Sequence, residues 1–364
     1  MALESVVRSL ATTISNYIKG AADAVTRKRM YLAMVREKGK LTFKHSGLNT
    51  DWGIEYAEDD LNPYTGNLTF EPVNTWIRAI LGWGGYDMTD LITKRERLMN
   101  GGSKTQLIKV YTDMGERLEA RVMRKFPGRL ILADPTVAGH EGEITGLDTI
   151  FSISAATAGD TRVGLNNGEY AGLSTAPAAY GGSWDQSGGN DIWPLGDGST
   201  SYDFHRPLTV LYDATGFNGA TNTWESNAET AIRFGLTHTN GRNNGMDSQV
   251  EVVALWRDGF RIFKDIQTAK ERINVTGQTT LYRLGFKDEF NFDGVSVVPE
   301  YDVPNAVGYG IPFGQVELMS MQPELLDVYS DFHHDTHSHR FSADFHGQQK
   351  FKTIRNFFKL MATP

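Results

Sequence analysis

The stretch from Leu68 to Trp83 constrains this chain more than any other. Val73, Thr75, Ile77, Ala79, Leu81 and Trp83 alternate along it and share one face of an extended strand, because successive strand side chains point to opposite sides. Trp76 and Ile80 make the opposite face partly apolar as well. A strand of about 16 residues far exceeds the usual length of about 5–6, and a lone two-stranded hairpin is at best marginally stable in water. A ribbon that is apolar on both faces needs something outside itself to lie against. The other reading of the same residues is two ordinary core strands separated by a turn, and alternation alone does not choose between them.

Around this ribbon the periodicity changes repeatedly. Leu3, Val6, Val7, Leu10, Ile14, Tyr17 and Ile18 recur at helical spacing, and a second helix is expected from Asp23 to about Lys38, ended by Gly39. Leu41 and Phe43, then Trp52, Ile54 and Tyr56, alternate as strands do, before the turn-rich link Asp59, Asp60, Asn62, Pro63 and Gly66. After Gly101-Gly102, Ser103 is the expected N-cap of a helix over 104–126. Leu107, Val110, Tyr111, Met114, Leu118, Val122 and Phe126 form its apolar stripe, and Pro127-Gly128 is expected to stop it. From Ala156 to Thr223 the chain is rich in Gly, Ser, Asn and Asp and shows no periodicity, as a long functional loop would. A helix near 224–238, an apolar strand at 250–256 and a charged helix near 263–273 follow. Phe292-Asp-Gly-Val295 reads as a tight turn into Val295, Val297 and Val298. Phe341, Ala343 and Phe345 alternate, and the chain closes on Phe351, Ile354, Phe357 and Phe358.

Composition removes several classes of chemistry. There is no cysteine among the 364 residues, so disulfides, thiolate nucleophiles and cysteine-bound metals are excluded. Arg8 is the first basic residue and no apolar h-region follows it, so no signal peptide is expected; no run approaches the ~18 apolar residues of a membrane span, and no membrane partner is expected. The formal net charge is −8 with both signs interspersed, which argues against a broad surface for wrapping phosphates.

The sharpest metal-ligand pattern is Asp331-Phe-His-His-Asp-Thr-His-Ser-His339, where His333, His334, Asp335, His337 and His339 offer imidazole and carboxylate groups. Its spacing fits no catalytic pattern, and adjacent histidines on a strand point apart, so a polar loop or a subunit contact is the reading adopted and no metal is assigned. Gly101-Gly-Ser-Lys-Thr105 lacks the order of a phosphate-binding loop and is better explained as a glycine break with a helix cap. The acidic turn Glu58-Asp59-Asp60 and the loop from Asp185 to Asp203 carry no EF-hand pattern and read as solvated loops. Arg27-Lys28-Arg29 is the one tight cationic cluster, read as an exposed helix face, with contact to a genome or a scaffold as the functional alternative. No GxSxG elbow appears.

Two blocks carry a family resemblance. One is Phe70-Glu-Pro-Val-Asn-Thr-Trp-Ile-Arg-Ala-Ile-Leu-Gly-Trp-Gly-Gly-Tyr86 with Met88-Thr-Asp90, Lys94-Arg-Glu96 and the long helix. The other is Phe290-Asn-Phe-Asp-Gly-Val295 with Val307-Gly-Tyr309 and Phe351-Lys-Thr-Ile-Arg-Asn-Phe-Phe358. In this order they resemble the tailed-phage major capsid proteins with the Hong-Kong-97-type fold. The resemblance implies an α+β fold with an N-arm (1–39), an extended β-hairpin loop (40–86), and a peripheral domain (87–155 and 306–364) containing the spine helix 104–126. It further implies a glycine-rich insertion (156–221) and a mainly axial domain (222–305).

It also implies a non-enzymatic shell subunit of the virion capsid, assembled in the host cytoplasm as hexamers and pentamers around double-stranded DNA that it contacts non-specifically. Cofactors are none. Partners are copies of the chain itself, a portal and a decoration protein. Because the ribbon is reached by about residue 40, a separate scaffolding protein is expected rather than a long fused extension. Trp52, Ile54, Tyr56, Phe70, Trp76 and Ile80 are the expected inter-subunit contacts of the extended loop. Two alternatives stand beside this reading: an encapsulin-like cargo compartment, which shares the fold, and a metal-dependent enzyme built on the His333–His339 cluster.

Overall fold

A computed structural model describes residues 29–55, 76–93, 104–157, 161–176, 205–217, 221–242, 249–269, 288–333 and 338–364, with a few single positions between them. The chain divides into two compact units, each assembled from segments distant in sequence. The first takes the chain up to Leu48, Trp83–Thr145 and Leu318–Gln349; the second takes Asn49–Gly82, Gly146–Glu317 and Lys350–Pro364.

In the first unit, helix α1 (Met30–Glu37) is buried along Met30–Val35. It ends as its sequence requires: Gly39 sits at φ 65, and the Gly39 and Lys40 amides donate to the Arg36 and Val35 carbonyls, a glycine-capped terminus that satisfies two orphan acceptors. Strand β1 (Leu41–Thr42) pairs in parallel with β14 (Val316–Ser320). The Tyr31 hydroxyl accepts a hydrogen bond from Gln349 Nε2 at 2.5 Å, on β16 (Ser338–Phe351). β16 also pairs antiparallel with β15 (Asp327–His333) and with β4 (Gly84–Ile92). The expected alternation of Phe341, Ala343 and Phe345 is present, and all three face inward.

Helix α2 (Lys104–Leu132) packs on this sheet, with the Phe126 ring 5.0 Å from Phe345 and 6.4 Å from Tyr86. Leu118, Val122 and Phe126 are buried as expected, but the helix does not stop at Pro127; it continues one further turn. An interior proline costs about 3 kcal/mol. Leu130 and Ile131, both buried beyond it, continue the stripe and are worth about 1.5–3 kcal/mol each, which outweighs that cost.

The second unit is built on a six-stranded mixed sheet in the order β11 (Phe290–Phe292), β12 (Val295–Pro299), β10 (Val252–Leu255), β13 (Gly308–Ile311), β17 (Phe358–Met361) and β9 (Leu208–Leu211). Asp293 (φ 50) and Gly294 (φ 85) form the two-residue turn between Phe292 and Val295 that the Asp-Gly pair foretold. Helix α3 (Trp224–Arg242) packs on β17 and β9. Helix α4 (Arg257–Ala269) begins several residues before the expected start and sets Phe263 edge-on to Phe290 and Phe292 at 5.7 and 5.3 Å.

The region expected to lack periodicity is not structureless where it is described. It supplies β5 (Ile153–Thr157), β6 (Gly164–Asn166), β7 (Glu169–Tyr170), β8 (Leu173–Ser174) and the fully buried β9. These strands run two to five residues, too short to establish a period of their own, and burial comes from partners elsewhere in the chain. The segment 177–204, with the Asp185–Asp203 loop, lies outside the described residues.

The ribbon 49–82 and the terminal 350–364 belong to the second unit, and Trp83 opens the next segment of the first. The physical reason for the last is glycine. Gly84 and Gly85 begin β4, and a Cβ at Gly85 would come within 2.6 Å of the Phe345 carbonyl oxygen, so the backbone is free to leave the ribbon and approach β16.

Candidate assembly surface

Strands β2 (Asn49–Glu55) and β3 (Trp76–Gly82) form the described part of the ribbon, in register from Asn49↔Gly82 to Glu55↔Trp76. Of the expected 68–83 strand, 68–75 lies outside the described residues, as do Tyr56 and Phe70. The register places Thr50, Trp52 and Ile54 on one face with Leu81, Ala79 and Ile77 opposite them. Asp51, Gly53 and Glu55, with Ile80, Arg78 and Trp76, take the other face.

The inner face is anchored within the second unit. Ile54, Ala79 and Leu81 are buried. The Trp52 indole N–H donates to the Lys352 carbonyl at 3.1 Å; its ring lies 6.1 Å from Tyr170, and the Lys350 ammonium stands 5.6 Å from its centroid. Tyr170 is itself fixed from two sides. Its hydroxyl accepts from the Phe351 amide at 2.8 Å, and the His205 ring stacks on it with Nε2 3.2 Å from its carbonyl oxygen. The next residue, Ala171, takes φ 55 in a two-residue turn with Gly172, and its carbonyl accepts from the Ile80 amide at 2.9 Å. The β7–β8 turn therefore clasps the edge of β3.

Electrostatics tighten this floor. Glu317 lies 3.1 Å from the Lys350 ammonium and 3.5 Å from that of Lys352. Burial raises the Glu317 pKa, but the hydrogen bonds and charges of the two lysines outweigh it and hold the carboxyl below its ordinary value. His205 goes the other way for a base: burial, only partly offset by the Tyr170 carbonyl, pushes its pKa down to about 4.

The outer face is different. Trp76 is 59% exposed and Ile80 44% exposed, although both are large and apolar. Trp76 lies across Gly53, where a Cβ would come 3.1 Å from its ring, so the glycine lets the indole sit flat on the ribbon. Beside it Arg78 and Asp51 form an exposed ion pair at 2.6 Å. A preset aromatic, an aliphatic and an arginine in one strip is the residue mixture of interaction hot spots.

The six expected contact residues thus separate. Trp76 and Ile80 share the exposed face, Ile54 is buried in its own unit, and Trp52 is half-buried against Tyr170. Arg78, Asp51 and Gly53 were missed, because the opposite-face grouping appears only once the register of β2 on β3 is known. The histidine segment lies at the β15–β16 hairpin, with His333 paired to Ser338 and Phe332 to His339; residues 334–337 are outside the described set. So are Arg27, Lys28, Glu58–Asp60 and Gly101–Ser103.

No protein-family model matches the chain, and no curated relative matches it. Solved structures do. The capsid of cyanophage A-1(L) superposes with a TM-score of 0.57 at 15% identity, over 91% of this chain and 93% of that one. The capsid of a native GTA particle gives 0.53 at 12% identity, over 91% and 90%. The capsid of Myoviridae phage XM1 gives 0.50 at 12% identity, over 90% of each chain. Identities this low speak to fold alone, but the likeness spans nearly the whole length of each partner. The chain carries the tailed-phage capsid fold, in keeping with the Hong-Kong-97-type architecture that its sequence resembles.

Proposed function

We propose that this chain is a major capsid protein: a non-enzymatic subunit that assembles with copies of itself into hexamers and pentamers of an icosahedral shell around double-stranded phage DNA. The observation that carries this is the fold likeness to capsid subunits over nine-tenths of both chains. The ribbon supports it physically. Its inner face is satisfied at home, whereas Trp76 and Ile80 expose apolar area that a second copy would cover. Covering the remaining exposed part of two such side chains is worth about 1–2 kcal/mol per subunit, and a closed shell repeats that contact at every subunit.

The subunit would be assembled in the host cytoplasm and reside in the virion capsid, with a separate scaffolding protein, a portal and a decoration protein as partners. Tyr56 and Phe70, which lie outside the described residues, would also take part in contacts between subunits. Electron microscopy of the purified full chain tests the reading. Closed shells, capsomer rings or tubes are expected on concentration; a strictly monomeric species at high concentration, with or without scaffold, would sink it.

A further inference from the structure

We propose that the pairing of β4 with β16 in the first unit is an acid-tightened contact: a row of carboxylates strains it at neutral pH, and a falling pH draws the two strands together. The register sets the row. Asp344 on β16 lies directly opposite Asp87 on β4 and, on its other side, directly opposite Asp327 on β15. Directly opposite residues share a sheet face with Cβ atoms about 4.5–5.5 Å apart, and like charges at that separation work against the pairing. This is the outward face. Ala343 and Phe345, on either side of Asp344, are buried, whereas Asp87 and Asp327 are exposed and Asp344 is half-buried.

The next rung of the same ladder is neutral: Ser342 faces Thr89, a hydroxyl pair of the kind that favours adjacent strands. The charged row is therefore local to Asp344. One cation stands beside it when protonated, His346, on the same strand and the same face; its ring lies over Gly85, where a Cβ would come 2.8 Å from Nδ1. Burial is the largest influence on Asp344 and raises its pKa. Asp87 and Asp327 raise it further, and the His346 charge and a hydrogen bond from Ser342 offset only part, so the carboxyl stays above its ordinary 3.8.

A carboxyl that takes up its proton more readily in the folded chain than in the open one costs stability at neutral pH. That cost is relieved as pH falls through the folded value, and the relief is complete below 3.8. His205 and Glu317 in the second unit respond the other way, since their contributions are lost in acid. Acid thus weakens contacts of the second unit while it firms this one. Among the described strands β4 pairs only with β16, from Gly84↔Gly347 to Ile92↔His339, so its hold depends on the single ladder that carries the Asp87–Asp344 pair.

Hydrogen exchange of the β4 amides in the full chain, read by mass spectrometry, tests the contact. Asp344→Asn and Asp87→Asn each remove one charge with almost no change of shape. At pH 7 each is expected to make opening of β4 less frequent than in the parent, by up to about fivefold. The double variant should gain less than the product of the two, because both remove the same repulsion. The advantage of Asp344→Asn should shrink as pH falls toward 3.8, and at pH 7 it should shrink in high salt. Exchange in β4 as fast as the parent's or faster in both single variants at pH 7, or an advantage that is equally large in high salt, overturns the proposal.

Discussion

His205 carries a pH dependence that follows from its position. Its ring is neutral and buried on Tyr170, with a pKa of about 4 in the folded chain against 6.5 in the open chain. The unfolded state therefore takes up a proton first, so the stabilisation is complete above pH 6.5 and is lost as pH falls toward 4. That difference corresponds to about 3 kcal/mol at the acid end. Urea unfolding across this range should show the loss, and His205→Asn should flatten it relative to the parent; an unchanged slope would remove His205 as its cause. Glu317 has a different window. Its pKa is held below the ordinary 4.5, so its contribution is present above that value and disappears as pH falls beneath it. Glu317→Gln should cost about 1–2 kcal/mol at pH 7, discounted for its partial exposure, and should remove part of the acid sensitivity below the ordinary carboxylate range. Neither residue was singled out from sequence, where the histidines of 333–339 drew attention instead. Burial of a single histidine depends on what covers it, and here Tyr170 and its neighbours do so through tertiary contacts.

At the scale of the element, the ribbon makes opposite predictions for its two faces. Ile54→Ala on the inner face should destabilise the isolated subunit by about 2–4 kcal/mol, measured by denaturant unfolding. Trp76→Ala combined with Ile80→Ala should cost the isolated subunit under about 1 kcal/mol, yet raise the concentration needed for assembly, read by light scattering. Equal effects of the two changes on subunit stability would mean that the outer face is not set aside for a partner. Helix α2 offers a separate test. Pro127→Ala should stabilise the subunit by about 1–3 kcal/mol, since the helix already continues past this position. The stripe Leu118, Val122 and Phe126 was legible from its spacing, because helical periodicity is a local property. The continuation past Pro127 is not legible locally, because what offsets the proline is the burial of Leu130 and Ile131, which depends on tertiary packing rather than on helical periodicity.

At the scale of the whole chain, the last strand is the most exacting test. β17 lies between β13 and β9 inside the six-stranded sheet, and Phe357 and Phe358 are fully buried. Deleting residues 357–364 should leave the second unit unable to fold, seen as insolubility or as loss of cooperative unfolding, although only a short terminal segment is removed. A soluble, cooperatively folding deletion variant would contradict this placement. A sheet joined from such distant segments also has mostly non-local pairings, so refolding on the millisecond-to-second scale or slower is expected.

The sequence by itself determined what local chemistry controls. The Asp293-Gly294 turn, the Gly39 helix end, the two-sided ribbon face at Trp76 and Ile80, and the inward alternation of Phe341, Ala343 and Phe345 all follow from φ/ψ preference and side-chain period. The ordered set of those elements was enough to resemble a capsid subunit. Only the tertiary structure decided which strands meet: β4 with β16, β17 between β13 and β9, the Ala171 turn against Ile80, and Arg162 over Phe234. The physical reason is that periodicity says which face of a strand or helix must be covered, whereas the choice of cover is made by complementarity between surfaces that only folding brings together.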